Sequence, residues 1–339
     1  MHLLKRVWVH FPAWFVFVMG FSILNYEVVR APPEMFGAMS RDLFALTVAI
    51  PMAWFVAYFT LAIRREGGPN PRLAHAGIWG LAILVPFFTW FLATRGYVQR
   101  EHLSSAQMVR YYEVGQFAWV GVLGLHALTT RGLQRALTFF AVCFLYGLIL
   151  ENMGIIMGFF SEHSYAIYLR LGDLRLPAPL ATQFGWCIMF YVATSLAEGF
   201  GRSFPALDRR PWALAVLTSL IATSLDLQVD PMASLSGTWW LWNPLLTPGF
   251  LGVPWLNFFA WFAAFLPFSF AYFHYRASGL AEGRQNLRIL AVLPWMLPAC
   301  LAVGGALVLL QEGGWDGPSG QILAEFLRKL LPVAPLPPS

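Results

Sequence analysis

Charged side chains are scarce in this sequence. Only 12% of its 339 residues are Asp, Glu, Lys or Arg, and 58% are hydrophobic, whereas soluble domains carry roughly 25% charged residues. A surface that faces water needs many charges, but a surface that faces lipid needs few. The composition therefore excludes a soluble globular domain and indicates an integral membrane protein.

The sequence also lacks the usual motifs of metal and cofactor sites. Its three cysteines, Cys143, Cys187 and Cys300, lie in apolar runs without CxxC spacing, which argues against a disulfide framework and a zinc site. The seven histidines form no HxxH or HxxxH box, so a membrane di-iron enzyme would lack its ligands. No P-loop occurs, and no GxGxxG follows a predicted strand. We therefore expect no metal and no cofactor.

Apolar runs of the length that crosses a bilayer repeat along the chain. A spanning helix needs about 20 mostly apolar residues, and such runs occur at residues 7–24, 43–63, 74–94, 111–128, 136–160, 180–197, 212–229, 254–275 and 289–310. They predict an all-α fold, a polytopic transmembrane helix bundle of about eight or nine spans. We expect one membrane domain over residues 1–310, whose motifs fall at 140–265, and an amphipathic, Pro-rich tail at 311–339 with a short helix at 321–331.

Basic residues lie between the apolar runs rather than in one block. This scatter argues against a nucleic-acid partner and predicts topology instead. Lys and Arg are more numerous on the side of the N-terminus, and residues 230–253 contain none. The positive-inside rule then places the N-terminus in the cytoplasm, in a membrane that we expect to be the bacterial cytoplasmic membrane. No small-residue cleavage site follows residues 7–24, which predicts a retained first span rather than a signal peptide.

Ionisable residues inside predicted spans are few, and each is a candidate for function. Glu151 lies in the fifth span, and Asp226 and Asp230 lie one turn apart in the seventh. Asn257 and Trp261 open the eighth span with the same spacing. Because the fifth and seventh spans run in the same direction and the eighth runs back, all of these residues are expected in one half of the bilayer. The alternative interpretation is that the buried carboxyl groups only hold helices together.

Aromatic residues and glycines accompany these acids. Aromatic side chains in the two loops at this level predict either an interfacial belt or a pocket whose ring faces stabilise a cation; they are Tyr165, Tyr168, Trp239, Trp240 and Trp242. Gly154 and Gly158 share a helix face with Glu151. Such a face favours close helix packing, or it leaves room for a rod-like apolar ligand.

The sequence resembles the carotenoid biosynthesis protein family that includes bisanhydrobacterioruberin hydratase and related carotenoid hydratases. The likeness covers residues 140–265 and rests on six segments and one tryptophan, which occur in this order: 151–159 (ENMGIIMGF), 165–172 (YAIYLRLG), 177–179 (PAP), Trp186, 226–231 (DLQVDP), 237–242 (GTWWLW) and 252–258 (GVPWLNF). This sequence departs from the family pattern at two places. Residues 159–164 read FFSEHS, whereas the family has more Gly and Pro in this segment, and Ala260 stands before Trp261 where the family has Gly.

The resemblance implies a cofactor-independent hydro-lyase that adds water to the terminal alkene of a linear (ψ-end) carotenoid. Protonation of such an alkene requires an undissociated acid in a dry site, and we assign this role to Glu151. Asp226, Asp230 and Asn257 then position water, with the roles of Glu151 and Asp226 open to exchange.

Trp239, Trp240 or Tyr168 is expected to stabilise the cation, and the other aromatic residues and glycines of these motifs are expected to contact substrate; they are Gly154, Gly158, Tyr165, Trp242 and Trp261. The expected partners are the carotenoid, water and membrane lipid. Two alternatives remain open: a membrane isoprenoid cyclase or prenyltransferase, and a non-enzymatic lipid-binding or transport protein.

Overall fold

The computed structural model describes residues 8–13, 15, 105–162, 165–235, 239–246, 248–250 and 253–330. Apart from residues 8–13 and 15, the first three predicted spans lie outside these described residues. The rest of the described chain consists mainly of helices. They are α1 (Ser105–Arg131), α2 (Leu133–Met157), α3 (Leu180–Ser203), α4 (Pro205–Asp208), α5 (Pro211–Leu235), α6 (Trp255–Ala277), α7 (Glu282–Glu312) and α8 (Pro318–Leu330).

Four of these helices are long and apolar enough to cross a membrane. The qualifying segments are Leu133–Met157, Leu180–Arg202, Trp255–Ala277 and Leu287–Glu312, in α2, α3, α6 and α7. In α5 the described apolar stretch, Pro211–Leu227, is shorter than a typical span, and α1 is not among the candidates. The described residues therefore support a helical membrane protein with four candidate spans, which is fewer than the six that the sequence predicts over the same region.

Proline and glycine mark where several helices begin and end. Pro179 and Pro254 directly precede α3 and α6 in extended conformation, which suits the position before a first helical turn. Gly158 ends α2 with φ +86°, and its N–H donates to the carbonyl oxygen of Ile155. This left-handed conformation is accessible to glycine at little cost, so Gly158 stops the helix three residues before the end predicted from hydropathy.

Helix α3 lies at the centre of the described bundle. It packs against α1, α2 and α5, while α6 packs against α5 and α7. The interface between α3 and α6 contains fully buried aromatic rings, and the ring centroids of Phe190 and Phe265 are 4.0 Å apart. Side chains on many of the outer positions are exposed large hydrophobics, as expected for a surface solvated by lipid.

Among the described residues, three short antiparallel strand pairs accompany the helices, and the sequence did not predict them. Strands β1 (Phe160–Glu162) and β4 (Trp240–Trp242) pair with each other, as do β2 (Tyr168–Leu171) and β3 (Leu174–Pro179), and β5 (Pro248–Phe250) and β6 (Val253–Pro254). All lie in the α2–α3 and α5–α6 connections, where pairing provides partners for backbone groups that the helices leave free. We call this end of the bundle, where α2 and α5 end and α3 and α6 begin, the ribbon end.

Helix α8 contains residues 321–330 of the predicted amphipathic helix, and Leu331 lies outside the described residues. Its first turn is bound to the end of α7, because Ser319 donates through its backbone N–H and its hydroxyl group to the carboxylate of Glu312, at 2.9 and 2.7 Å. Ile322 is buried, whereas Arg328 and Lys329 in the last turn are exposed.

Candidate active site

Two aspartates and an asparagine form the first part of a polar cluster at the ribbon end. Asp226 and Asp230 share one face of α5, and Asn257 lies in the first turn of α6. The Asn257 side-chain amide donates to Asp226 Oδ2 at 2.6 Å and also to Asp230 Oδ2. All three side chains are almost inaccessible to solvent. A single Nδ2 atom thus holds two buried carboxyl groups.

Glu151 joins this cluster from the last two turns of α2. The indole Nε1–H of Trp186, on α3, donates to Glu151 Oε2 at 2.7 Å. Glu151 also lies close enough to Asp226 and Asp230 to interact with both electrostatically. The four polar residues singled out in the sequence are therefore brought together in one buried cluster.

Glu162 is a fourth acid in the cluster, which the sequence did not identify. Strand β1 is paired with β4, with Glu162 opposite Trp240, and this pairing returns the chain to the end of α2, where the carboxyl groups of Glu162 and Glu151 meet. The hydroxyl group of Thr182 lies 3.3 Å from both Glu162 carboxylate oxygens. Burial, and secondarily the charge of Glu151, raises the pKa of Glu162 well above its usual value.

A stack of aromatic rings borders Glu151 on the side away from the ribbon end. The rings of Trp186 and Trp261 are nearly parallel, with centroids 4.8 Å apart, and Phe265 continues the stack from Trp261 at 5.6 Å. Trp186 therefore contacts the acid through its nitrogen and the aromatic stack through its ring. Sequence reasoning included Trp186 in a motif but not among the site residues, because its two contacts come from different helices.

A second aromatic group covers the cluster at the ribbon end. The ring of Tyr112, on α1, lies 4.7 Å from the ring of Trp239 and 6.4 Å from that of Trp240. The Tyr165 hydroxyl group donates to the backbone carbonyl oxygen of Trp239 at 3.1 Å. Tyr112 also interacts electrostatically with Glu162 and Glu151. Tyr112 was not predicted as a site residue, since nothing in its local sequence distinguishes it from an interfacial tyrosine.

Comparison with known families identifies the family of this chain. A family model described as carotenoid biosynthesis protein matches residues 112–312, a range that contains every member of the acidic cluster. The chain belongs to the carotenoid biosynthesis protein family. Searches of curated proteins and of solved structures found no match.

Several predicted contact residues of this carotenoid biosynthesis protein have other neighbours. The guanidinium carbon of Arg175 lies 3.9 Å from the centroid of the Tyr168 ring, so that one ring face already holds a cation. A Cβ atom added to Gly154 would clash with the ring of Phe160. The smooth helix face predicted as a ligand groove is thus filled at this position, and Gly158 serves to end α2.

Trp242, which the sequence also placed at the substrate, packs against Phe160 with ring centroids 5.5 Å apart. Its indole Nε1 is buried and has no hydrogen-bond partner among the described residues.

Three further buried polar atoms in this part of the carotenoid biosynthesis protein also have no partner within the described chain: Oδ1 of Asp226, and Oε1 and Nε2 of Gln183. Gln183 is fully buried on α3, one turn before Trp186. Buried polar groups are almost always hydrogen-bonded to protein or to ordered water. These atoms therefore suit a site that holds water or a polar group of a ligand. Among the described residues, no group of three or more His, Cys, Asp or Glu side chains is arranged to hold a metal ion.

The opposite end of the bundle contains a different polar group. Arg131, at the end of α1, donates to Glu198 Oε2 at 2.9 Å and to the Tyr272 hydroxyl group at 2.6 Å. Arg276 binds the same Glu198 carboxylate at 3.2 Å. A cavity of about 580 Å³ lies beside this network and is also lined by Trp8 and other residues of the N-terminal segment. None of the predicted site residues borders that cavity.

Proposed function

We propose that this carotenoid biosynthesis protein is a hydratase that adds water across the terminal C=C bond of a linear carotenoid without a cofactor. The supporting observation is the contact between carboxyl groups at the ribbon end, where Glu151 meets Glu162 and one amide binds Asp226 and Asp230. No Lys or Arg occurs among the described partners of Glu151, Glu162 and Asp226. Carboxyl groups grouped without a basic partner retain protons at neutral pH, and hydration begins with a proton donor.

In the first step, Glu151 donates a proton to the less substituted carbon of the terminal alkene. The π electron pair forms the new C–H bond, and a tertiary carbocation remains on the neighbouring carbon. Trp186 orients the acid, since its indole N–H holds Glu151 Oε2. The carboxylate that the proton leaves behind lies next to the cation and stabilises it electrostatically.

Aromatic ring faces supply the second source of cation stabilisation. The ring of Trp261 lies parallel to that of Trp186, which binds the acid. At the ribbon end, the rings of Trp239 and Trp240 contact the ring of Tyr112. Tyr168 is a weaker candidate for this role than the sequence suggested, because Arg175 already covers one face of its ring.

In the second step, water attacks the cation. Oδ1 of Asp226 is buried and has no hydrogen-bond partner among the described residues, so it is available to accept a hydrogen bond from that water. The oxygen lone pair forms the C–O bond, and the second water proton passes to the aspartate pair. Return of one proton to Glu151 closes the cycle, so that alkene and water give the tertiary alcohol with no net proton uptake.

Expression of the chain in cells that accumulate linear carotenoids tests this proposal. The terminal alkene is isolated from the conjugated polyene, so the product should gain the mass of one water and become more polar, with an unchanged visible spectrum. An unchanged mass with a shifted spectrum would identify a cyclase instead. Activity that EDTA abolishes and Mg²⁺ restores would identify a prenyltransferase, and carotenoid that is bound but not altered would favour a binding or transport protein.

A further inference from the structure

Glu162 occupies a position that differs from that of the other three acids. It lies on strand β1 rather than on a helix, and its side chain is only partly buried, whereas Glu151, Asp226 and Asp230 are buried. The β1–β4 register fixes it opposite Trp240. Among the four acids, Glu162 is thus the most accessible to solvent.

The neighbours of Glu162 come from three helices and from the ribbons. Thr182 contacts both of its oxygens, and Glu151 faces its carboxyl group from α2. Tyr112 and Tyr165 lie within electrostatic range, and the two aspartates interact with Glu151 behind it. No described partner of Glu162 is basic. Two facing carboxyl groups in such surroundings are stable when one proton lies between them, because two negative charges there would repel each other.

We propose that Glu162 is a positioning residue that shares one proton with Glu151 and returns a proton to it after each turnover. This inference rests on the proposed hydratase function. The transfer breaks an O–H bond of Glu162 and forms one on Glu151, and Glu162 then takes a proton from water at the ribbon end. The proton that the attacking water releases leaves the cluster through the aspartates, so each cycle is balanced.

The variant Glu162→Gln tests this role. Glutamine has the same size, its amide oxygen still accepts the Thr182 hydroxyl, and its amide N–H still reaches Glu151, but it carries no transferable proton. We expect turnover at neutral pH to fall at least tenfold with little change in KM. We also expect the loss to shrink as the pH is lowered, because bulk protons then supply Glu151 directly.

Glu113→Gln is the matched control. Glu113 is a buried glutamate at the same end, but its Oε1 accepts the backbone N–H groups of Ala166 and Ile167, and an amide oxygen preserves both bonds. This variant should keep the turnover and the pH profile of the parent. Glu162→Asp, which retains a transferable proton, should recover much of the rate that the glutamine variant loses.

Infrared spectroscopy of the purified protein tests the shared proton without substrate. The parent at neutral pH should show the broad absorption of a proton shared between two carboxyl groups, and this absorption should decrease in Glu162→Gln and persist in Glu113→Gln. A parent that yields no hydrated product but shows this decrease would refute the hydratase and leave the shared proton supported. Unchanged absorption, a parental pH profile in Glu162→Gln, or an Asp variant as slow as the Gln variant would each overturn the role of Glu162.

Discussion

Replacement of Trp186 by Phe separates the two functions of this side chain. The indole N–H bonds Glu151 Oε2 at 2.7 Å, while the ring stacks on Trp261 at 4.8 Å. Phenylalanine keeps an aromatic ring in the stack but has no donor for the acid. A hydrogen bond to a charged group contributes about 1.5–3 kcal/mol. Loss of that amount from the transition state lowers turnover by roughly 10- to 100-fold.

The smaller ring also leaves unfilled space, because Trp186 is 8% exposed and packs closely against Gly147. We expect the free energy of unfolding to fall by about 1–3 kcal/mol, which is typical of a core substitution. Phe190→Leu is the control for this effect. Phe190 is fully buried between Phe265 and Trp186, but it makes no contact with Glu151 among those described.

The assay measures hydrated carotenoid per amount of purified protein, together with thermal stability in detergent. Trp186→Phe should lose turnover far beyond its loss of stability, whereas Phe190→Leu should lose stability and retain turnover. Parental turnover in Trp186→Phe would refute the idea that the indole N–H orients the acid. An equal loss of turnover in Phe190→Leu would assign the effect to packing alone.

Four further predictions concern single residues. Glu151→Gln and Asp226→Asn should each abolish nearly all turnover while the protein still accumulates in membranes; parental turnover in both would contradict the acid assignment. Gln183→Leu removes two buried polar atoms without a described partner, so it should raise the melting temperature if these atoms face only protein, and lower turnover if they hold water. Glu198→Gln leaves a buried arginine without its carboxylate and should reduce the free energy of unfolding by about 3–5 kcal/mol, with the same product formed by the protein that remains folded. Burial raises the pKa of Glu162, so protonated Glu162 stabilises the native state at low pH, and this stabilisation is lost as the pH rises through the native pKa. Glutamine does not titrate, so the melting temperature of Glu162→Gln should decline less toward alkaline pH than that of the parent.

The helical part of the site could be predicted because it depends on spacing along the chain. The sequence places Asp226 and Asp230 on one face, and the alternating direction of successive spans places Asn257 and Glu151 at the same depth. The structure brings these four residues together. The apolar run predicts that α3 begins at Leu180, and the structure places its first residue there. Pro179, in extended conformation, directly precedes that position.

The remainder of the site depends on contacts between segments that are distant in sequence. Glu162 lies on β1, which is held by pairing with β4, about 80 residues further along the chain. Strands this short carry little sequence signal of their own. Similarly, Arg175 covers Tyr168 through the pairing of β2 with β3, which hydropathy does not report. Gly158 is different, since a glycine near the end of an apolar helix is a recognisable stop signal.

The two ends of the bundle compensate buried charge in opposite ways, and this difference indicates where chemistry takes place. At the end that holds Arg131, the acid Glu198 is bound by two arginines, an arrangement that needs no proton and that a structural role explains. At the ribbon end, carboxyl groups meet one another and are held by an amide, a hydroxyl group and an indole N–H. Grouping acids in this way costs stability unless protons are retained. Retained protons in a buried aromatic site are what the protonation of an alkene requires, so the ribbon end, rather than the cavity at the other end, is where we expect the carotenoid terminus to react.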